Sequence, residues 1–193
     1  MERAHGAARA LILCEGKDDE AFLNWIVDIA GIEGLVIHGV GGKDAPSASF
    51  QAFVQDPVFG AGPELVAVVF DSDENPCETR DSIQKRLDQS APSSKHRIYL
   101  FPDDEGQGEL EDLCLAACRD SVRLQCAESL VTCLETNGYQ EFKRSKLKLL
   151  AYIAATKLER RSIEYAAKDG QFNPRHPLVQ KLASFVTSCA AAG

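Results

Sequence analysis

The stretch Leu11-Ile12-Leu13-Cys14-Glu15-Gly16-Lys17-Asp18-Asp19 joins a short apolar run to a glycine and a group of acids. An apolar run of this length that ends at charged residues is typical of a strand buried on both faces of a parallel sheet. The acids suit the first turn of a helix, because they meet the positive end of its dipole. We therefore predict a strand, a glycine turn and a helix in that order.

Three further apolar runs follow, and the segments between them have apolar residues at helical spacing. The runs are Leu35-Val36-Ile37, Leu65-Val66-Ala67-Val68-Val69-Phe70 and Ile98-Tyr99-Leu100-Phe101. The helical residues between them include Phe22, Trp25, Ile26, Ile29, Phe50, Phe53, Val54, Ile83 and Leu87. Alternating strands and helices imply right-handed crossovers and a doubly wound architecture. The predicted fold class is α/β and Rossmann-like, with a four-stranded, mainly parallel sheet flanked by helices.

The remainder of the chain has a helical pattern. We predict helices from Glu109 to Asn137, from Arg144 to Lys168 and from Pro177 to Ala190, with Gly138 and Asn173-Pro174 as breaks. The expected organisation is an α/β domain over residues 1–137 and a helical C-terminal extension, residues 138–193, packed on it.

The composition excludes several classes of protein. Of 193 residues, 45% are hydrophobic and 26% charged, which argues against disorder. No apolar run reaches the roughly 18 residues that span a bilayer, and the first residues lack the pattern of a signal peptide. Seven cysteines without a C-x-x-C pair, beside only four histidines, favour buried free thiols over structural zinc. We expect a cytoplasmic protein that does not bind membranes.

The net charge of −8 is unevenly distributed. Residues 143–193 contain ten Lys and Arg against three Asp and Glu, a net of +7, which leaves −15 for residues 1–142. Four of the cations begin a predicted helix: Lys143, Arg144, Lys146 and Lys148. This segregation fits a basic surface for nucleic acid beside an acidic metal site, and it also fits a solvated helix face. On the second reading, Leu147, Leu150, Ile153 and Ala154 form the packed face of that helix.

Acids follow three of the four predicted strands. They are Glu15, Asp18, Asp19 and Glu20 after the first, Asp71, Asp73 and Glu74 after the third, and Asp103, Asp104, Glu105, Glu109, Glu111 and Asp112 after the fourth. Because parallel strands end at one edge of a sheet, these carboxylates should converge there. Carboxylates so close repel one another unless a cation neutralises them, and Mg²⁺ or Mn²⁺ prefers oxygen ligands.

The spacing within this group suggests separate roles. Asp71 and Asp73 would point the same way from an extended strand end and reach one metal ion. Glu15, one strand over, would hold a second ion or act as a general acid or base. Simpler explanations stay open, because Asp18, Asp19 and Glu20 also suit helix capping and Asp71 and Asp73 suit a turn. Asp103 and Asp104 also suit a solvated loop.

Two glycine segments could approach a phosphate. Gly16 would let a phosphate reach the backbone at the start of the first helix. Lys43 ends the glycine-rich segment Gly39-Val40-Gly41-Gly42-Lys43, and we predict a phosphate contact there, with an exposed lysine in a glycine turn as the alternative. The segment is not a P-loop, which requires Gly at position 37 and Ser or Thr at position 44. The sequence has Ile37 and Asp44.

Glu15 after the first strand and Val68-Val69-Phe70-Asp71-Ser72-Asp73 after a later one resemble the signature of TOPRIM domains. This fold occurs in topoisomerases, bacterial primases, the ribonuclease that matures 5S ribosomal RNA and the overcoming-lysogenization-defect nucleases. The segments from Gly41 to Asp104 and from Gly108 to Asp112 are similar to small stand-alone TOPRIM-like bacterial proteins. That similarity continues to the Lys146 helix and covers nearly the whole chain.

The resemblance implies roles for particular residues. Glu15, Asp71 and Asp73 would be the metal and catalytic acids, and Glu111 would complete the metal shell. Asp19 and Glu109 would be supplementary. Independently of the resemblance, the charge pattern predicts that Lys146 contacts phosphate together with Gly16 and Lys43. Many TOPRIM sites continue as Asp-x-Asp-x-Glu, whereas this chain has Asn75, which shifts one role to Glu109 or Glu111.

The expected function is a divalent-metal-dependent phosphodiester hydrolase, a nuclease that acts on DNA or RNA. A partner ATPase would indicate a two-component nuclease. One alternative is a non-catalytic TOPRIM-like scaffold that binds nucleic acid or protein. Another is a haloacid-dehalogenase-like phosphatase with Asp71 as nucleophile and Asp103-Asp104 as its late metal pair. The phosphatase fits less well, because Asn75 departs from its motif and Glu15 would have no role.

Overall fold

The computed structural model describes residues 9–42, 47–59, 62–156 and 162–192. Its centre is a four-stranded sheet in the order β2-β1-β3-β4, in which every neighbouring pair is parallel. The strands are β1 (Ala10–Cys14), β2 (Leu35–Gly39), β3 (Leu65–Asp71) and β4 (Lys95–Phe101). The predicted Rossmann-like α/β fold class is therefore confirmed, with a sheet that is parallel throughout.

Helices cover both faces of the sheet. They are α1 (Lys17–Ala30), α2 (Ser47–Val54), α3 (Pro76–Ser90), α4 (Leu110–Ala117), α5 (Ser121–Thr136), α6 (Arg144–Ala154), α7 (Ile163–Lys168) and α8 (Pro177–Ala192), with a short 3₁₀ turn at Pro57–Phe59. None of the helices in the described ranges is long and apolar enough to cross a membrane.

The alternation of side chains along β1 divides the interior into two cores. Ile12 faces the larger core, which α1, α4, α5, α6, α7 and α8 complete. Leu11 and Leu13 face the smaller core, which α2 and α3 cover. All five residues of β1 are fully buried, as expected for a central strand of a parallel sheet. Trp25 lies in the larger core, as predicted, and α8 contributes Val179 and Leu182 to it.

The single helix predicted from Glu109 to Asn137 is wrong, because the structure has two helices there. The chain leaves the helical conformation at Cys118, which forms an antiparallel bridge with Phe172. Asp120 then starts α5, since its side chain accepts a hydrogen bond from the Arg123 amide at 3.0 Å. The break depends on a partner more than fifty residues away, which local periodicity cannot reveal.

The helix predicted from Arg144 to Lys168 is also divided. α6 ends at Ala154, and α7 begins after Ser162, whose hydroxyl accepts a hydrogen bond from the Tyr165 amide at 3.2 Å. The packed face of α6 also differs from the prediction: Leu149, Tyr152 and Ile153 are buried, whereas Leu150 is 42% exposed.

The cysteines bear out part of the sequence prediction. All seven are free thiols, and Cys14, Cys114 and Cys189 are buried. Burial raises the pKa of the Cys189 thiol to about 11. The prediction of burial is wrong for three others, because Cys77, Cys126 and Cys133 are exposed on helix surfaces.

Candidate active site

The sheet order creates a crevice between β1 and β3. The chain passes from β1 to β2 on one side, and β3 lies on the other side of β1. Ligands of open parallel sheets bind at such a switch point, outside the carboxyl ends of the strands. Glu15 directly follows β1 and Asp71 ends β3. Two of the acids selected from the sequence therefore flank the place where this fold class forms sites.

Hydrogen bonds connect these two acids to each other and to α4. The Asp71 amide donates to Glu15 Oε1 at 3.1 Å. Asp71 Oδ1 accepts in turn from the Leu110 amide at 2.9 Å, in the first turn of α4. A carboxylate at the N-terminus of a helix is favourable, because the first amides of a helix lack partners within it. The ends of β1 and β3 and the start of α4 are thus joined.

Asp19 lies in the first turn of α1 and caps it. Its Oδ2 accepts a hydrogen bond from the Gly16 amide at 2.8 Å. The Glu109 amide donates to Asp112 Oδ2 at 2.9 Å in the same way at the start of α4. The capping explanation for Asp19 is therefore correct, and Gly16, predicted to contact phosphate, already uses its amide within the protein.

Burial and mutual repulsion disfavour the charged forms of these acids. Burial raises the pKa of Asp71 to about 8, and the charges of Glu15, Asp19 and Glu111 add to the effect. Burial also raises the pKa of Asp19 to about 7, with further contributions from Glu15 and Glu111. The pKa of Glu111 is raised mainly by burial. Four carboxyl groups from β1, α1, β3 and α4 therefore share one electrostatic environment.

Asp73 departs from the extended geometry expected of it. Its φ is +53°, so the chain turns there and the alternation argument fails. Ser72 causes the turn: its buried hydroxyl donates to the Gly108 carbonyl at 3.1 Å and accepts from the Gly108 amide at 2.7 Å. Asp73 lines a different cleft, beside Ser82 and Arg86 of α3. The sequence analysis did not identify Ser72 as important. The only indication in the sequence was its position between Asp71 and Asp73.

The glycine segment after β2 packs against the residues that follow β1. The Gly41 and Gly42 amides donate to the Glu15 carbonyl at 3.0 and 2.8 Å. A Cβ at Gly39 would lie 3.1 Å from the Gly16 carbonyl oxygen, a tight contact that favours glycine at this position. These contacts hold the backbone of Glu15 in place. Lys43, the predicted phosphate contact, lies outside the described residues.

Two of the four predicted basic residues lie next to the acids. Lys143 Nζ is 2.7 Å from Glu109 Oε1, and Lys146 Nζ is 3.9 Å from Glu111 Oε1. The hydrogen bond to Glu109 raises the pKa of Lys143. Arg144 and Lys148 instead pair with glutamates of α5, on the far side of α6. Lys143 and Lys146 therefore border the crevice, whereas the other two connect α6 to α5.

The acids after β4 are occupied by structural contacts. Asp104 Oδ1 is 2.6 Å from Arg80 Nη2 and accepts from the Leu100 amide at 3.0 Å. Asp103 Oδ1 accepts from the Gly106 amide at 2.7 Å, which lowers the pKa of its carboxyl. These contacts account for both residues without an ion. They favour the loop interpretation and weaken the phosphatase alternative.

The donor set suits a hard divalent cation in its chemistry, since every ligand would be a carboxylate oxygen. Nevertheless, no group of three or more His, Cys, Asp or Glu side chains within the described ranges could hold a metal ion as arranged. The Asp71 carboxylate binds the Leu110 amide, and the Glu15 carboxylate binds the Asp71 amide. Both carboxylates are therefore already held by backbone amides at this edge of the sheet.

Comparison with known proteins identifies a family. No curated protein and no solved structure matches the chain. A family match begins just before β1 and ends within α8, so it includes Glu15, Asp71 and Glu111. It covers residues 9–190, nearly the whole chain, and the protein therefore belongs to the family described as "Protein of unknown function (DUF3226)".

Proposed function

We propose that this protein is a divalent-metal-dependent phosphodiester hydrolase that acts on nucleic acid. The observation that carries the proposal is the meeting of Glu15, Asp19, Asp71 and Glu111 at the switch point of the sheet, with the pKa values of three of them raised. Carboxyl groups with perturbed pKa values in a crevice are typical of functional sites. The resemblance of Glu15 and Asp71-x-Asp73 to the TOPRIM signature supports the same conclusion.

The acidic residues of the site would have separate roles in hydrolysis. A bound Mg²⁺ or Mn²⁺ would neutralise the carboxylates and stabilise charge on phosphate oxygens. Glu15 would position the attacking water or take its proton, because it lies at the end of β1 with its backbone fixed by the glycine segment. Asp71, Asp19 and Glu111 would be the metal ligands, and Asp73 stays a candidate through the resemblance alone.

Lys143 and Lys146 would contact the substrate backbone. Their side chains are 66% and 56% exposed, so the present pairs with Glu109 and Glu111 are partly solvated. Exposed ion pairs contribute little to stability and can be exchanged at low cost. A phosphate could therefore replace either carboxylate as the partner of a lysine. Free thiols throughout the chain support a reducing, cytoplasmic setting.

A scaffold without catalytic activity is the second candidate. It is favoured by the absence, in the described part of the chain, of side chains arranged to hold an ion. On this proposal the carboxylates of Glu15 and Asp71 only join β1, β3 and α4, and the protein binds nucleic acid or another protein without cleaving it. An ATPase could be such a partner.

Calorimetric titration with Mn²⁺ separates the two candidates. We expect the wild-type protein to bind Mn²⁺ and Asp71→Asn to bind it at least tenfold more weakly. Asp103→Asn is the matched control, because it removes a carboxylate from the same edge of the sheet without touching the crevice. Cleavage of labelled DNA and RNA should require the metal and should be lost in Asp71→Asn. Absence of Mn²⁺ binding in the wild type would favour the scaffold.

A further inference from the structure

A second cleft, the α3 cleft, lies between the end of β3 and one side of α3. Its volume is about 260 Å³. Its inner wall is apolar, because Phe70 and Ile83 line it and each is only 2% exposed. Its polar side chains are Asp73, Glu78, Thr79, Ser82 and Arg86. An apolar wall with a few polar groups is the usual form of a small-molecule site.

The backbone around Asp73 is held by hydrogen bonds on both sides. Before it, the Ser72 carbonyl accepts from the Thr79 hydroxyl of α3 at 3.0 Å. After it, the Asn75 side chain accepts from the Glu78 amide at 3.3 Å and so caps the start of α3. The turn that carries Asp73 is therefore fixed in place before any ligand binds, as precise recognition requires.

The charges of the α3 cleft determine which kind of ligand fits. Two carboxylates, Asp73 and Glu78, and one guanidinium, Arg86, line it, which leaves a net charge of −1. A phosphate would be repelled by the carboxylates, and a simple cation would be repelled by Arg86. The ligand that suits both kinds of group is a neutral ring with hydrogen-bond donors for a carboxylate and acceptors for a guanidinium.

The size of the α3 cleft points to a small ligand. Pockets for drug-sized molecules have volumes of about 300 to 1,000 Å³, and the α3 cleft, at about 260 Å³, lies just below that range. The cleft therefore suits a single nucleobase better than a whole nucleotide. A base is flat, so its faces would pack against the apolar wall while its edges meet the polar side chains.

We propose that the α3 cleft binds a guanine base of a single-stranded nucleic acid, next to the phosphate that the crevice cleaves. Guanine has two neighbouring donors, N1–H and N2–H, which a carboxylate at Asp73 can accept. It also has two neighbouring acceptors, O6 and N7, which are the usual partners of arginine and suit Arg86. Among the four common bases only guanine has both pairs.

The position of Asp73 relates the α3 cleft to the crevice. Asp71 and Asp73 are two residues apart, so their Cα atoms are separated by at most roughly 7 Å. A base in the cleft would therefore belong to a nucleotide beside the phosphate at Asp71. In a duplex the bases are stacked and paired, so a base that enters a cleft comes from a single strand. The inference rests on the proposed function for the origin of the base, whereas base binding itself requires neither metal nor cleavage.

Titration with GMP, AMP, CMP and UMP in EDTA tests base binding alone. We expect GMP to bind at least tenfold more tightly than the other three. In ¹⁵N NMR spectra it should shift the amide signals of Ser82 and Ile83. Asp73→Asn should abolish the preference for GMP, because an amide group cannot accept both donors of guanine. Asparagine tolerates the φ of +53° at this position, so the variant should fold.

Arg86→Gln should weaken GMP binding at least tenfold as well, because it removes the partner of O6 and N7. Asp103→Asn and Lys85→Gln are the matched controls. Each removes a charge of the same sign as its test variant, at a residue outside the lining of the α3 cleft. Both controls should bind GMP like the wild type.

Sequencing of cleavage products tests whether the base belongs to the substrate. Single-stranded RNA and DNA of random sequence, cut in the presence of Mn²⁺, should show guanine at one fixed position beside the cut. Asp73→Asn should lose this preference and keep its Mn²⁺ affinity within threefold of the wild type. A metal ligand at Asp73 would instead lose Mn²⁺ binding.

The two experiments separate failure of this inference from failure of the proposed function. GMP binding without any cleavage would support recognition of guanine and contradict the hydrolase. Cleavage without preferential GMP binding would overturn the inference and leave the hydrolase standing. Preferential GMP binding together with cleavage that ignores guanine would identify a free guanine nucleotide as the ligand and overturn the role in substrate recognition.

Discussion

The Glu15 carboxylate accepts a hydrogen bond from the backbone amide of Asp71 at 3.1 Å, which ties the end of β1 to the end of β3. The same side chain raises the pKa of the Asp71 carboxyl, since two negative charges lie close together. Glu15 therefore stabilises the folded protein through its hydrogen bond and destabilises it through its charge. Substitutions can separate the two effects.

Glu15→Gln should leave the fold intact and abolish most of the hydrolytic activity. The amide oxygen of glutamine can still accept from the Asp71 amide, whereas the repulsion with Asp71 is lost. We expect the melting temperature to stay level or rise, and metal-dependent hydrolysis to fall by at least a hundredfold. Glu15→Ala should also lower stability by about 1 kcal/mol, because a hydrogen bond between strands is lost. Unfolding by urea and a cleavage assay measure the two effects, and full activity in Glu15→Gln would contradict the assignment.

The metal-free protein should lose stability as the pH rises from about 4 to about 8. The pKa of Asp71 is raised to about 8 and that of Asp19 to about 7, whereas both are near 4 in the unfolded chain. In this range the folded state binds more protons than the unfolded state, so raising the pH favours unfolding. The contribution is present in full below about pH 4 and is lost above about pH 8.

Thermal melts in EDTA measure this pH dependence. After allowance for solvent screening and coupling of the two groups, we expect the free energy of unfolding to fall by about 2 kcal/mol between these pH values. The melting temperature should fall by roughly 4 to 8 °C. Asp71→Asn should flatten the profile, because one titrating group is gone. Added Mn²⁺ should raise the melting temperature most at high pH, where protons no longer compete for the carboxylates. A wild-type profile parallel to that of Asp71→Asn would mean that the Asp71 carboxyl is not a source of the pH dependence.

The fold was predictable from local pattern, because apolar runs and helical spacing encode which faces are buried. The four strands and the helices between them follow from residues such as Leu13 and Phe22. The break between α4 and α5 was not predictable, since it depends on the bridge from Cys118 to Phe172. Local periodicity contains no information about a partner so distant in sequence.

The candidate site was predictable to a similar degree. Parallel strands put Glu15 and Asp71 at one edge, and the structure brings them together. The direction of Asp73 was not predictable, because the contacts of Ser72 with Gly108 turn the chain there. The proximity of Asp19 and Glu111 to Asp71 depends on how α1 and α4 start, and the order of the strands predicted it only as a general convergence of acids at one edge.

Asp19→Asn and Asp73→Asn form a matched pair that tests which acid serves the metal. Each variant removes one carboxylate charge within a few residues of a strand end. Because the charge of Asp19 acts on Asp71 while Asp73 lines the cleft beside α3, we expect Asp19→Asn to weaken Mn²⁺ binding at least tenfold and Asp73→Asn less than threefold. Calorimetry measures both constants. The reverse order would restore the Asp-x-Asp pair as the metal ligands.

Ser72→Ala should lower the stability of the protein, because it removes a buried hydrogen bond next to the site. The Ser72 hydroxyl is fully buried, donates to the Gly108 carbonyl and accepts from the Gly108 amide. Its removal leaves that amide without this partner, at a cost of about 2 kcal/mol, which lowers the melting temperature by roughly 4 to 8 °C. Ser82→Ala makes the same chemical change at an exposed position of α3 and should shift stability by less than about 0.5 kcal/mol. Equal melting temperatures for the two variants would mean that the Ser72–Gly108 contact does not hold the loop before α4 against the end of β3.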